Sequence, residues 1–297
     1  LSKLVHMKQN PFSFYDFLGY LIPGGIFTCV LSFMFVPDFW GMIGEFSPKL
    51  KDSIFAGSSI LIALIIVFYI VGHLISLLSS SFVEKYLTDT YGWPSQYLFI
   101  NVSTDLSKSV KRYFLHLQHE CFIGKINRKD VVRCVFKQIV SGVVLLPFVA
   151  IERIMYRLLG VRPTKLPEPL NSSLLKRLVQ FFEKSKIEVP YNIIEEGCLK
   201  GDLFRFIYHY AQENSENHVP KMANYVALYG FSRNICFVFV LLFWASLFQS
   251  QIDNWSYWYS FSLAIASSIF FYGFEKFYRR YTLEALMACV SIRDNES

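Results

Sequence analysis

Four long stretches without a single Asp, Glu, Lys or Arg constrain this chain more than any other feature: residues 17–36, 54–78, 235–250 and 255–274. Three of them hold 20 or more residues and the third in order holds 16. A helix needs about 20 apolar residues to cross a hydrocarbon core of about 30 Å. The stretches form two pairs, one near each end, separated by about 150 residues that are basic and aromatic. The pattern predicts a mainly α fold: a polytopic helical membrane protein with four transmembrane helices in two hairpins and an inserted helical cytosolic domain. The expected divisions are a leader over 1–16, hairpins over 17–78 and 234–274, a cytosolic domain over 79–233 and a cytosolic tail over 275–297.

Composition agrees. The chain is 53% hydrophobic and 18% charged, against about 25% charged for soluble domains. Residues 1–6 precede Met7, which reads as a start, so they are set aside as foreign to the fold. The six cysteines, two of them inside spans, form no close pair, which fits reduced thiols better than a disulfide framework. Basic residues crowd one side: Lys8, Lys85, Arg233, Lys276, Arg279 and Arg280 flank the spans, whereas 251–254 holds only Asp253. The positive-inside rule then places both termini and the middle segment on the cytoplasmic side of the membrane. On that side the sequon Asn101-Val102-Ser103 stays unused. A fifth apolar run, 138–150, is too short to span and reads as a core helix or one lying on the inner leaflet.

The spans carry few polar groups, and each has two readings. Pro23-Gly24-Gly25 predicts a kink or break one or two turns into the first span, either a hinge lining a cavity or a close helix–helix contact. His73, the one ionisable side chain within a span, is a proton or gating group, or a structural hydrogen-bonding group near the membrane surface. Ser260, Ala264 and Ser268 recur every four residues, a spacing that suits close packing and equally a narrow pore in an oligomer. Asp16 and Arg233, at the inner ends of the first and third spans, are candidate coupling residues.

The middle segment is charged unevenly. Residues 79–233 hold 21 basic and 14 acidic side chains; 108–186 hold 16 and 5, and 187–220 hold 2 and 6. Lys108, Lys111, Arg112, Lys125, Arg128, Lys129 and Arg133 form a candidate ligand-binding surface. Such a surface holds anionic membrane lipid, or, with aromatics interleaved, phosphates and bases of a nucleotide or short oligonucleotide. Helical periodicity marks 108–122 and 173–185. A helix starting near Pro220 is expected to end around 229–234, ahead of the third span, and the tail after Phe274 reads as an amphipathic helix. His116, His119 and Cys121 lack the further ligands that a zinc site needs. No nucleophile elbow, P-loop, zincin or dinucleotide motif occurs. The chain is therefore read as a non-enzyme without cofactor or metal.

Residues 14–24 (FYDFLGYLIPG), Gly72-His73-x-x-Ser76, Gly92-Trp93-Pro94-Ser95 and residues 229–234 (YGFSRN) look like marks of a bacterial group of small polytopic proteins. The architecture resembles that of membrane effectors of bacterial antiphage systems, most nearly the channel-forming effector of the Hailong system. The resemblance implies a homo-oligomeric ligand-gated channel, a tetramer among its possible forms, working with a nucleotidyltransferase that makes the oligonucleotide signal. A non-conducting scaffold that recruits a cytosolic partner is the alternative reading.

Overall fold

The computed structural model describes residues 14–36, 41, 54–99, 128–159, 164–186, 202–215, 217–253 and 257–291. Among the described residues the chain is helical and contains no strand. The order is α1 (Phe14–Asp16), a π-helical turn (Phe17–Leu21), α2 (Ile22–Phe35), α3 (Ile54–Ser79), a second π-helical turn (Ser80–Glu84), α4 (Lys85–Tyr91) and α5 (Pro94–Tyr97). There follow α6 (Arg128–Val144), α7 (Leu146–Leu159), α8 (Glu168–Lys184), α9 (Asp202–Asn214), α10 (Val219–Asp253) and α11 (Tyr257–Ser291).

Three helical runs are long and apolar enough to cross a membrane: Phe17–Phe35, Ser58–Tyr97 and Val219–Gln251. The fourth expected stretch falls on α11, which is not among them; α11 packs against α10 as a long helical hairpin. Paired contacts fix its register. Ser246 Oγ lies 2.6 Å from Ser260 Oγ, Gly273 faces Ser232, and Tyr229 stacks on Tyr278. Helix α10 runs unbroken from Val219 to Asp253, so the helix end expected around 229–234 does not occur. The weak helix formers Gly230, Ser232 and Asn234 are each held by a tertiary contact, and packing overrides local propensity.

The Pro23-Gly24-Gly25 segment does not interrupt the chain's helical path either. Pro23 falls in the first turn of α2, where a missing N–H is tolerated, and the preceding π-turn absorbs the mismatch. The glycines serve contact. A Cβ on Gly24 would overlap the backbone carbonyl of Phe68, and one on Gly72 would overlap that of Tyr20. Helices α2 and α3 thus cross backbone against backbone, as small residues permit in membranes.

Near the end of the second of these runs the chain turns sharply. Gly92, with φ +85°, ends α4 in a conformation that L side chains rarely adopt. Trp93 then opens α5, its N–H donating to Gln96 Oε1 at 3.2 Å. Helices α6 and α7 are joined through Leu145, whose N–H donates to Ser141 O at 3.0 Å while its carbonyl accepts from Val149 N–H at 3.1 Å. The helical path therefore continues, with a kink where Pro147 has no N–H to donate. Helix α8 starts with Glu168 and Pro169 in its first turn and ends with Lys184 in its last, charges that match the helix dipole. Its buried stripe Leu174, Leu178 and Phe182 joins the main core. Helices α7, α8 and α9 all rest on α11.

Gly24→Ala and Gly72→Ala are each expected to destabilise the fold by about 1–3 kcal/mol through forced separation of the two backbones. The check is the apparent melting temperature of the detergent-solubilised protein, with Gly142→Ala as the control, because a Cβ there meets nothing within 4 Å.

Candidate functional site

One group of buried polar residues in the helical bundle meets at a single junction. Arg233 lies on α10 and is buried. Its Nη1 is paired with Glu84 of the second π-turn. Its Nη2 donates to Ser76 Oγ at 3.2 Å, and its Nε donates to Ser79 Oγ at 3.1 Å. Ser79 Oγ in turn donates to Asn234 Oδ1 at 2.5 Å. Asn234 Nδ2 donates to Gly19 O at 2.6 Å. Each link has a physical cause. A buried guanidinium needs a counter-charge and acceptors in several directions, which one carboxylate and two hydroxyls supply. Pro23 has no N–H to give the carbonyl four residues back, which is that of Gly19. Asn234 serves that freed carbonyl from the neighbouring helix, as broken hydrogen-bond ladders in membranes require.

The surrounding residues complete the junction. Gly230 lies against the Tyr15 ring, where a Cβ would come within 3.2 Å of Cε2. Tyr15 meets Tyr20 edge to face, and Tyr20 stacks on His73 with ring centroids 3.9 Å apart. Three of the four segments that carry the resemblance, 14–24, 72–76 and 229–234, therefore meet in space. The fourth, 92–95, forms the α4–α5 turn.

A second polar cluster sits beside α11, just past Gly273. Glu152 of α7 is buried and accepts from Tyr86 Oη at 2.5 Å and from Tyr91 Oη. Glu275 of α11 faces this group. Burial first, and the Glu152 carboxylate second, push its pKa up to about 7, with Arg279 pulling the other way. Nearby, Tyr97 Oη, Tyr272 Oη and Arg279 Nε are buried without a hydrogen-bond partner.

A third polar group ties the ends of the long hairpin. His218 Nδ1 lies 2.7 Å from Glu284 Oε1, and Ser291 Oγ lies 3.4 Å from His218 Nε2. The order matches a nucleophile, base and acid. However, Ser291 occupies the last turn of α11, where outward-pointing carbonyls oppose an oxyanion. The trio is a structural clasp. A groove of about 550 Å³, lined by Val30, Phe33, Met34, Ser246, Tyr259, Ser262 and Leu263, has no charged wall to orient a phosphate.

The remaining predicted residues are placed as follows. Lys108, Lys111, Arg112 and Lys125 lie outside the described residues. Arg128 and Arg133 lie on α6, their side chains outside the description, and Lys129 is exposed on the same helix. Ser260, Ala264 and Ser268 are buried; Ser260 binds Ser246 across the α10–α11 contact, and Ser268 Oγ donates to Ala264 O at 3.0 Å. Asp16 ends α1, and its charge acts on Tyr20. His73 is exposed on α3. Sequence reasoning brought Arg233 forward but missed Glu84, Ser79 and the Glu152–Glu275 cluster. One signal was available for the last: both carboxylates directly adjoin uncharged runs, at 138–151 and 255–274. No group of three or more metal-ligating side chains occurs among the described residues. Comparison of the chain with family models, curated proteins and solved structures gives no match.

Two predictions arise here. Arg233→Ala strands Glu84 and the two serines, and is expected to cost about 3–5 kcal/mol. Arg233→Lys keeps the charge but loses the fork and should recover only part of it. Melting of the two variants in detergent reads the difference. Glu275 gives a pH signature. Its folded pKa is raised, so its contribution is complete at acid pH, below the ordinary carboxylate range. It is lost as pH rises through about 7, because the unfolded chain then binds fewer protons than the folded one. The melting temperature is expected to fall from about pH 5 to about pH 8 in the wild type, with a shallower slope in Glu275→Gln.

Proposed function

We propose that this chain is an oligomeric membrane effector of bacterial antiphage defence: a ligand-gated ion channel opened by a nucleotide or oligonucleotide signal that a partner nucleotidyltransferase produces. The observation that carries this reading is the meeting of residues 14–24, 72–76 and 229–234 in one buried polar junction. These are the segments on which the resemblance rests, and they join all three candidate spans through Arg233, Asn234 and Gly19. On this reading the crossing has two pairings, closed and rearranged. A bound ligand can favour the second only through its differential affinity for it.

In this reading α11 forms the fourth crossing, and the termini and middle segment lie in the cytoplasm at the inner membrane. The basic residues from Lys108 to Arg133 hold the ligand. Arg233 and Asp16 couple it to the spans, whose Pro23-Gly24-Gly25 contact and His73–Tyr20 stack shift on opening. The exposed apolar face of α3, including Leu61, Ile62, Ile66 and Ile70, packs copies into a homo-oligomer such as a tetramer. Ser260, Ala264 and Ser268 stay in the α10–α11 contact at rest and are candidates to line the open path. Phe-rich walls keep the resting pore shut by dewetting.

Conductance of the purified protein in liposomes, with and without short oligonucleotides and cyclic nucleotides, tests the proposal. A ligand-dependent current is expected, weakened by charge reversal at Lys125, Arg128 and Lys129. Silence across the panel, with folded and oriented protein, overturns it in favour of the scaffold.

A further inference from the structure

Helices α6 and α7 carry an apolar surface that the spans do not explain. Val132, Phe136, Ile139, Val143 and Leu146 are between 51% and 67% exposed. Four of them recur at spacings of four, three and four, and so share one face of α6. An aqueous domain has no reason to present five large apolar side chains in a row.

Their depth identifies what covers them. Trp244 Nε1 donates to Val144 O at 2.9 Å. Trp244 lies eleven residues beyond Arg233 on the unbroken helix α10, about 16 Å along its axis. Helical side chains lean back toward the N-terminus, which sets the indole nitrogen about one turn nearer Arg233. The join between α6 and α7 therefore sits about 10 Å or more past Arg233, beside a stretch with no charge from 235 to 250. The packing of α7 agrees. Phe148 is fully buried and stacks on Phe271 with ring centroids 4.7 Å apart. Phe271 comes two residues before Gly273, which faces Ser232. Helix α7 then carries Glu152 to Tyr86 and Tyr91 on the Arg233 side. The chain carries no charge from 138 to 151; Arg133 and Lys137 precede that run on α6, Glu152 and Arg153 follow it on α7, and Arg157 is exposed one turn further on.

We infer that this kinked helix pair is an intramembrane element. Its Val132–Leu146 face contacts phospholipid acyl chains, and Arg157 reaches the anionic headgroup layer, which attracts basic side chains. The backbone at the join is satisfied within the protein, as membrane depth requires: Leu145 N–H, Leu145 O and Val144 O all have partners. The inference takes α6 and α7 out of the cytoplasmic part of the topology proposed above, rests on membrane location alone and holds whether or not the protein conducts.

The test uses the wild-type protein in vesicles of phosphatidylethanolamine and phosphatidylglycerol that contain a phospholipid with a photoactivated diazirine on its acyl chain. Adducts are mapped by mass spectrometry. A parallel sample is labelled with a water-soluble carbene reagent. The peptide spanning 132–146 is expected to carry acyl adducts as heavily as the exposed Leu61–Ile66 face of α3, with loss of aqueous label relative to the exposed end of α8 at Lys184 and Lys186. Aqueous label on 132–146 without acyl adducts overturns the inference in favour of a surface open to water or a soluble partner. Protection from both reagents overturns it in favour of a second copy seated on the face.

Discussion

The burial of Arg233 organises this structure. A guanidinium taken out of water costs several kcal/mol unless its charge and its donors are matched. The match comes from Ser76 and Ser79 in the last turn of α3 and from Glu84 just beyond it. Asn234, the next residue, reaches the opposite way to the Gly19 carbonyl that Pro23 cannot serve. One pair of adjacent residues therefore ties α10 to both other candidate spans. The backbone contact of Gly24 with Phe68, and of Gly72 with Tyr20, holds α2 and α3 in the crossing that brings Gly19 and Ser79 within reach.

The two longest helices carry this junction outward. Each has 35 residues, or about 52 Å at 1.5 Å per residue, against a hydrocarbon core of about 30 Å. About 20 Å of the α10–α11 hairpin is thus more than one crossing would need. The hairpin is clasped by His218 and Glu284. Neither helix breaks along its length, and α8 and α9 both rest on α11. Glu152 ties α7 to Tyr86 and Tyr91 of α4, and Glu275 of α11 lies near enough for the two carboxylates to repel.

The helix content was legible because its signal is local. Uncharged length marks 54–78 and 235–250, and threefold and fourfold spacing marks 173–185; each lies on a helix of the structure. The spacing of Ser260, Ala264 and Ser268 was legible too, and the structure sets these residues in the α10–α11 contact. The continuity of α10 through 229–234 was not legible. Gly230, Ser232 and Asn234 are poor helix formers, and what holds them helical is Tyr15, Gly273 and Gly19 on other elements. The partners of the candidate site were hidden for the same reason. Glu84 stands 149 positions from Arg233, and Tyr91 stands 61 from Glu152.

The sequence by itself determined which segments are apolar enough to leave water, where glycine and small polar residues permit close approach, and that Arg233 adjoins a span. These properties follow from side-chain chemistry and from helical periods of a few residues. Tertiary structure alone decided that Glu84 is the counter-ion, that Asn234 serves Gly19, that Glu152 binds the phenols of Tyr86 and Tyr91, and that the join of α6 and α7 lies at the level of Trp244. Such pairings depend on the crossing and register of helices distant in the chain. Packing sets that geometry, and no local pattern records it.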